Sequence, residues 1–321
     1  MSCDAENFLY VFDHTVKPVL LYASEIVGMF KPSLDDNLFE KVYKYLPLEK
    51  LNLSLCRYIL SVNKKTSKLA LYGELGRYPI YIDIVSSMLK YWTRLENDKT
   101  GDKLLSHALA ENLLMIENNQ NCWLSSIKNI LKKFNMFNSN ESELTQLHVS
   151  MKNGDIQRII KSTKSKFESR WFQQLQTSEK LRTYRTFKNI FKFENYLVNI
   201  CNENDKYNMS RYRTSNHRLQ IELGRYTIPK TPVNDRTCKN CSSCEVEDEK
   251  HILLDCQKYF TIRQTYIDIC YNKNSSKLNT DNKFIWLMSN EHANVCRNIS
   301  RFLSLSIFYK TDSKATEKLS S

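Results

Sequence analysis

Four residues of two chemistries stand in metal-ligand order: Cys238-x2-Cys241-x9-His251-x4-Cys256. With ten cysteines in 321 residues, chance puts fewer than one in a window of this length, yet residues 238–256 hold four, Cys244 being the other. A Cys-x2-Cys pair puts two thiolates on one tight turn, and a second pair from later in the chain closes a tetrahedron around one ion. Thiolate and imidazole donors together suit zinc. The spacing also constrains the backbone. Residues five apart in an α-helix lie about 140° apart around its axis, so His251 and Cys256 cannot share an ion from a regular helix. The HILLD stretch is therefore expected to be looped or extended. A helix should follow from near Gln257, with Ile262, Tyr266 and Ile269 on its apolar stripe. Cys244 stays open as a ligand in place of Cys241, or as a free thiol beside it.

The second chemistry is positive charge. The chain carries +12, and residues 152–236 alone hold eighteen Lys/Arg against eight acids, whereas residues 1–60 hold six against eight. A positive middle on a near-neutral scaffold fits a polyanionic partner, most simply nucleic acid, or else a solvated basic face. Arg182, Arg185, Lys188 and Lys192 recur every three or four residues beside Tyr184, Phe187 and Phe191. This pattern predicts a helix with the aromatics buried and the cations free for phosphates. Arg211, Arg213, His217 and Arg218 extend the same charge, and Arg225 joins the arginines expected to bind nucleic acid. Such contacts give affinity without sequence readout.

Catalytic signatures do not stand out. Asp35-Asp36 is the acidic pair closest to a polymerase pattern, but it follows Pro32 and Ser33, where acids serve a helix start. Glu249-x-His251 reverses the deaminase order, and no Pro-Cys-x-x-Cys follows. Neither HExxH, nor a P-loop, nor GxGxxG is present. The expectation is a protein that is not an enzyme and takes no small-molecule substrate.

The elements that must position these groups read as helices. Gly and Pro number six each, far below average usage, which argues against a many-stranded sandwich or barrel. Apolar stripes run through Leu51, Leu55, Tyr58 and Val62; through Ile84, Met88, Trp92 and Leu95; and through Leu105, Leu109, Leu113 and Ile116. Others run through Trp123, Ile127, Ile130 and Phe134, and through Ile156, Ile160, Thr163, Phe167, Trp171 and Leu175. Ser33, three residues before Asp36, reads as a capping start for Leu38, Val42 and Leu46. A further helix is expected through Leu181, Tyr184, Phe187, Phe191, Leu197 and Cys201. The chain should turn around Gly73, Gly76 and Pro79, and residues 135–143 read as a loop. Strand signals gather only near residues 219–229 and 251–255. The start, MSCDAENFLY, lacks the basic and apolar segments of a signal peptide, and no 18-residue apolar run offers a membrane span. Cysteines in such a chain are expected as thiols or metal ligands rather than disulfides.

With these residues in place, the sequence resembles a family. Residues 12–28, 71–95 and 211–263 are similar to the region C-terminal to the polymerase palm in non-LTR (LINE-type) retrotransposon reverse transcriptases. The third stretch is the most specific. His217, Leu219, Ile221, Glu222, Gly224 and Arg225 are followed by Cys238 and Cys241. Val246, Glu247, Asp248 and Glu249 then lead to His251 and Cys256. Gln257 departs from the proline common after the last cysteine, and Val27 stands where an aromatic is expected. The resemblance implies a zinc-binding tail that grips RNA or DNA, with the palm aspartates and any endonuclease domain not within this chain.

The resulting expectation is a mainly α protein, bundle-like in its N-terminal and middle regions, with a small C-terminal CCHC zinc module. Its parts are a thumb-like helical region over 1–100, a basic helical region over 101–210, the zinc module over 211–271 and a helical tail over 272–321. The expected function is non-catalytic binding of RNA or DNA through the basic face, with structural zinc, inside the cell and without membrane contact. The rivals are a zinc-stapled protein-interaction module and a degenerate element product without a selected role.

Overall fold

A computed structural model describes residues 4–27, 47–96, 103–118, 120, 122–134, 151–272 and 275–308. Helices dominate, and among the described residues the only β pairings are two single antiparallel bridges, Leu75 with Phe193 and Thr237 with Val246. The mainly α expectation holds. The helix start at Ser33, the Asp35-Asp36 pair and the loop at 135–143 lie outside the described residues.

The chain packs as two units that interleave in sequence. One comprises Tyr10–Leu53 and Tyr78–Arg170, the other Met1–Leu9, Ser54–Arg77 and Trp171–Ser321. In the first, the Tyr81–Glu96 and Trp123–Lys133 helices face each other. Ile84, Met88 and Trp92 are buried on one, and Trp123, Ile127 and Ile130 on the other, as their spacing predicts. The N-terminal end of the Tyr81–Glu96 helix is held by a carboxylate: Glu49 accepts the Ile80 backbone N–H at 2.7 Å and the Asn52 side-chain amide at 3.1 Å. Both Glu49 and Asn52 are buried. This rotates the Pro47–Leu60 helix away from the expected stripe, burying Leu53, Cys56, Ile59 and Leu60 and leaving Leu51 and Tyr58 exposed.

In the second unit, Trp171 and Leu175 at the end of the Asn153–Thr177 helix are buried, and Trp171 Nε1 donates to the Leu69 carbonyl at 2.8 Å. Gly73 is not a turn but lies inside the Lys68–Leu75 helix, where a Cβ would sit 2.6 Å from Tyr184 Oη and 2.7 Å from Trp171 Cζ2. Gly76 makes the turn, with φ +55° at the helix C-terminus, a conformation glycine adopts without strain. The Ala293–Ser306 helix packs on Glu203–Arg213 and on Phe260–Tyr266.

Two expectations fail here. Residues 181–201 do not form one helix: a turn at Tyr184–Phe187 and another at Tyr196–Asn199 flank an extended segment. The segment is drawn off the helical path by Leu75 pairing with Phe193 and by the Glu194 N–H donating to the Glu74 carbonyl at 2.9 Å. Leu181, Tyr184, Phe187 and Leu197 are still buried, but Cys201 is exposed. The strand signals near 219–229 and 251–255 also fail, because both stretches close into helical turns.

The same pairing gathers charge. Arg213 is 3% exposed. Its Nε and Nη2 reach the two Glu74 oxygens at 2.8 and 3.1 Å, and Nη2 reaches Glu194 at 2.7 Å. Nη1 donates to the Met288 carbonyl, and the guanidinium lies 4.7 Å from the Phe187 ring centroid and 5.0 Å from that of Tyr196. Lys188, also buried, binds the second Glu194 oxygen and the Lys192 carbonyl. Burial pushes the Glu74 carboxyl up, but the charges of Arg213 and Lys188 outweigh it and hold it below its ordinary range. Glu74→Gln should cost about 3–5 kcal/mol at pH 7, because it leaves a buried guanidinium short of a counter-charge. Glu74 stays ionised in the folded chain at a pH where the unfolded chain has already taken up the proton. Its contribution is therefore complete above the ordinary carboxylate range and lost as pH falls through the depressed value. Urea unfolding should show the gap between wild type and variant closing in acid; a gap that widens would contradict this.

Candidate metal centre

Cys238 and Cys241 lie on a hairpin. Thr237 pairs with Val246, the Cys238 N–H donates to the Glu245 carbonyl at 2.8 Å and the Glu247 N–H to the Arg236 carbonyl at 2.9 Å. The Asn240 N–H points at Cys238 Sγ at 3.4 Å, stabilising charge on the sulfur. The other two donors come from the next turn. Residues His251–Asp255 wind as a π-turn, closed by the Cys256 N–H donating to the His251 carbonyl at 2.8 Å. This i→i+5 closure widens the turn by one residue, bringing His251 and Cys256 to one side as the spacing demands. A 3-10 turn at Gln257–Tyr259 then leads into the Phe260–Tyr266 helix. The expectation that HILLD is not regular helix, with a helix starting near Gln257, holds in this form.

The donor atoms of Cys238, Cys241, His251 and Cys256 all lie within 4.8 Å of one another. Cys238 Sγ is 3.9 Å from Cys256 Sγ, and Cys241 Sγ is 3.4 Å from His251 Nε2. A tetrahedron with metal–sulfur bonds of about 2.3 Å has edges of about 3.8 Å, so the set fits a metal ion. Cys244 is not part of it. Its φ is +55°, and its exposed sulfur faces the Ser242 carbonyl at 3.8 Å, which leaves Cys241 as the ligand. Burial pushes the Cys238 thiol up to about 12 and raises Cys256 as well, whereas the Ser243 hydroxyl draws Cys241 down to about 6. Buried thiolates need a cation beside them, and a divalent ion held by this cluster would supply it.

Glu245 and Arg263, which the sequence did not single out, and Glu249, which it placed only in the family stretch, hold these side chains in place. Glu245 Oε2 meets His251 Nδ1 at 2.8 Å, leaving Nε2 to face the sulfurs. Arg263 is buried. Its Nε donates to the Leu253 carbonyl at 3.0 Å and its Nη2 to the Cys256 carbonyl at 2.7 Å, satisfying acceptors of the π-turn. The buried stripe of this helix is therefore Tyr259, Arg263 and Ile267, not Ile262, Tyr266 and Ile269, of which Ile269 is 64% exposed. Glu249 anchors the turn from behind. It accepts from Thr183 Oγ1 at 2.8 Å, Ser215 Oγ at 3.1 Å and His217 Nε2 at 3.0 Å, and its backbone carbonyl accepts the Tyr212 hydroxyl. Burial pushes the Glu249 carboxyl up, but the His217 hydrogen bond, with the charge of Arg182 nearby, outweighs it and brings it to about 2.

The cations expected on one face are dispersed. Arg182 pairs with Asp248 at 3.3 Å and Glu249 at 3.7 Å. Arg185 donates to the Gln176 carbonyl, and Lys192 pairs with Glu291. Lys188 and Arg213 are buried in ion pairs, and Arg225 binds Glu222 at 2.9 Å. Arg211 is bound to Ser61, and Arg218 is exposed with no ion pair among the described residues. The single exposed helix face is thus corrected. The helix is one turn long, and Arg182, Lys188 and Lys192 are used in pairing with acids of the same unit. Compared with known proteins, the chain matches no family model, no curated protein and no solved structure.

Purified protein should carry about one metal ion per chain. Cys256→Ser should lose it and loosen the knuckle, read by elemental analysis and by hydrogen exchange over 236–265, whereas Cys244→Ser should keep it. Full metal content in Cys256→Ser, or loss in Cys244→Ser, would contradict the assignment.

Proposed function

We propose that this chain binds nucleic acid without catalysing a reaction, in the manner of the post-palm, zinc-bearing tail of the non-LTR reverse transcriptases that its sequence resembles. The metal is zinc, held by Cys238, Cys241, His251 and Cys256. Protein donors account for all four positions of the tetrahedron, the arrangement of a structural ion rather than of one that activates water. Bound zinc supplies a cross-link that fixes the knuckle and the lysines it carries.

The observation that carries the reading is the positive charge left over after internal pairing. Lys65, Arg218, Lys230, Lys239 and Lys258 are all exposed, and none forms an ion pair among the described residues. Lys239 lies between the two knuckle thiols in sequence, and Lys258 Nζ reaches Asn240 Oδ1 at 2.6 Å, so two of these cations belong to the metal module. Cations without acidic partners are free to neutralise phosphates and release counterions. RNA and DNA both offer that chemistry, and it implies an intracellular site of action, the nucleus included. Among the described residues no helix is long and apolar enough to cross a membrane.

One observation favours the rival, a zinc-stapled protein-interaction module. Ile228 is 99% exposed and Tyr226 58%, on a loop tied by the Thr231 N–H to the Gly224 carbonyl at 3.1 Å. Salt separates the two readings. Affinity for unrelated RNA and duplex DNA sequences should fall steeply from 50 to 200 mM salt. Neutralising Lys65, Lys230 and Lys239 together should weaken all sequences alike and reduce the log–log slope by about 0.9 for each duplex phosphate that is no longer neutralised. Affinity flat over that range would overturn the nucleic-acid reading in favour of the protein-interaction module.

A further inference from the structure

The unit that carries the metal centre also contains an open groove of about 710 Å³. That volume is in the range of sites that bind small organic ligands, roughly 300–1,000 Å³. The Pro47–Leu60 and Glu203–Arg213 helices both end at it. Helix C-termini repel anions unless their carbonyls are satisfied, and here both ends are closed the same way. Ser61 (φ +49°) and Ser215 (φ +54°) take the left-handed conformation. The next residue's N–H then turns back: Val62 donates to the Arg57 carbonyl at 3.1 Å and Asn216 to the Arg211 carbonyl at 2.7 Å, each a Schellman closure.

Cations and aromatics face this blunted floor. Arg211 is pinned by Nε to the Ser61 carbonyl at 2.9 Å and by Nη2 to Ser61 Oγ at 3.1 Å. Arg218 also lines the groove and is exposed, and among the described residues no acidic side chain lines it. Tyr58 is 67% exposed although its ring is fixed edge-on to Phe8 at 5.5 Å, and Tyr207 lies half-buried beside it. The loop that carries Arg218 is set by His217, whose Nε2 is bound to Glu249 and whose Nδ1 accepts the Leu219 N–H at 3.4 Å. The wall of the groove is therefore tied to the segment that carries the metal ligand His251.

We propose that this groove seats unpaired nucleotides of a single strand, with bases against Tyr58 and Tyr207 and phosphates on Arg211 and Arg218. Stacking platforms beside cations are how single strands are gripped without sequence readout. A duplex, whose base faces are covered, cannot use the tyrosines. The inference rests on the nucleic-acid reading above and adds the site and the strandedness.

The test is a titration of full-length protein with a fluorescent single-stranded oligonucleotide and with its duplex. Wild type is compared with Tyr58→Ala, Tyr58→Phe and Arg218→Ala, each checked for retained helicity by circular dichroism. Tyr58→Ala should weaken the single strand on the order of tenfold with little change in salt slope, and Tyr58→Phe should restore it. Arg218→Ala should lower the single-strand slope by about 0.7. Duplex affinity should not respond to Tyr58. If wild type binds nucleic acid and Tyr58→Ala binds the single strand equally well, the groove inference fails while the broader reading stands. If wild type binds neither strand form, both fail. If polyglutamate competes for the groove and depends on Tyr58 more than the oligonucleotide does, an acidic protein is the occupant and the proposal is overturned.

Discussion

His251 and Cys256 stand five positions apart in sequence, and an α-helix would aim them apart. Everything around the candidate metal centre answers that constraint. The backbone opens into an i→i+5 turn, which costs carbonyl partners, and the buried Arg263 supplies donors to the Leu253 and Cys256 carbonyls. Glu245 fixes the imidazole from its far nitrogen, and the hairpin paired at Thr237 and Val246 presents the other two thiols. The knuckle is small, but the groups that shape it come from both sides of its sequence.

Two buried charge clusters join this knuckle to the helices of the same unit. Glu249 binds Thr183, Ser215, His217 and Tyr212, two residues before the ligand His251. Arg213, one residue after Tyr212, is locked between Glu74 and Glu194. Charges buried this way are costly unless every hydrogen bond is made, so these residues are structural and unavailable to a partner. The exposed charge that remains includes Lys239 and Lys258 on the knuckle, Lys65 and Lys230, and Arg218 at the groove, where Arg211 also lies.

The cluster of Cys238, Cys241, His251 and Cys256 that could hold a metal ion was legible because ligand chemistry admits few residue types and a tetrahedron admits few spacings. Helices with one strong stripe, such as Tyr81–Glu96 and Trp123–Lys133, were legible for a similar reason. Periodicity misled where polar residues took the buried face: Glu49 and Asn52 turn the Pro47–Leu60 helix, and Arg263 turns Phe260–Tyr266. At 181–201 the spacing of aromatics reported the burial of Tyr184 and Phe187, though Phe191 is only half-buried, but not the backbone path, which is set by pairing with Leu75, more than a hundred residues earlier. The basic face failed most completely. Charge counting sees the cation and not its partner, and the partner of Arg213, Glu74, lies 139 residues away.

X-ray absorption at the zinc edge of the purified, full-length protein tests the centre most directly. The account predicts three sulfurs at about 2.3 Å and one nitrogen at about 2.0–2.1 Å around each ion. A shell of four sulfurs would mean that Cys244 displaces His251, and a shell of oxygens and nitrogens alone would mean that the knuckle holds no zinc.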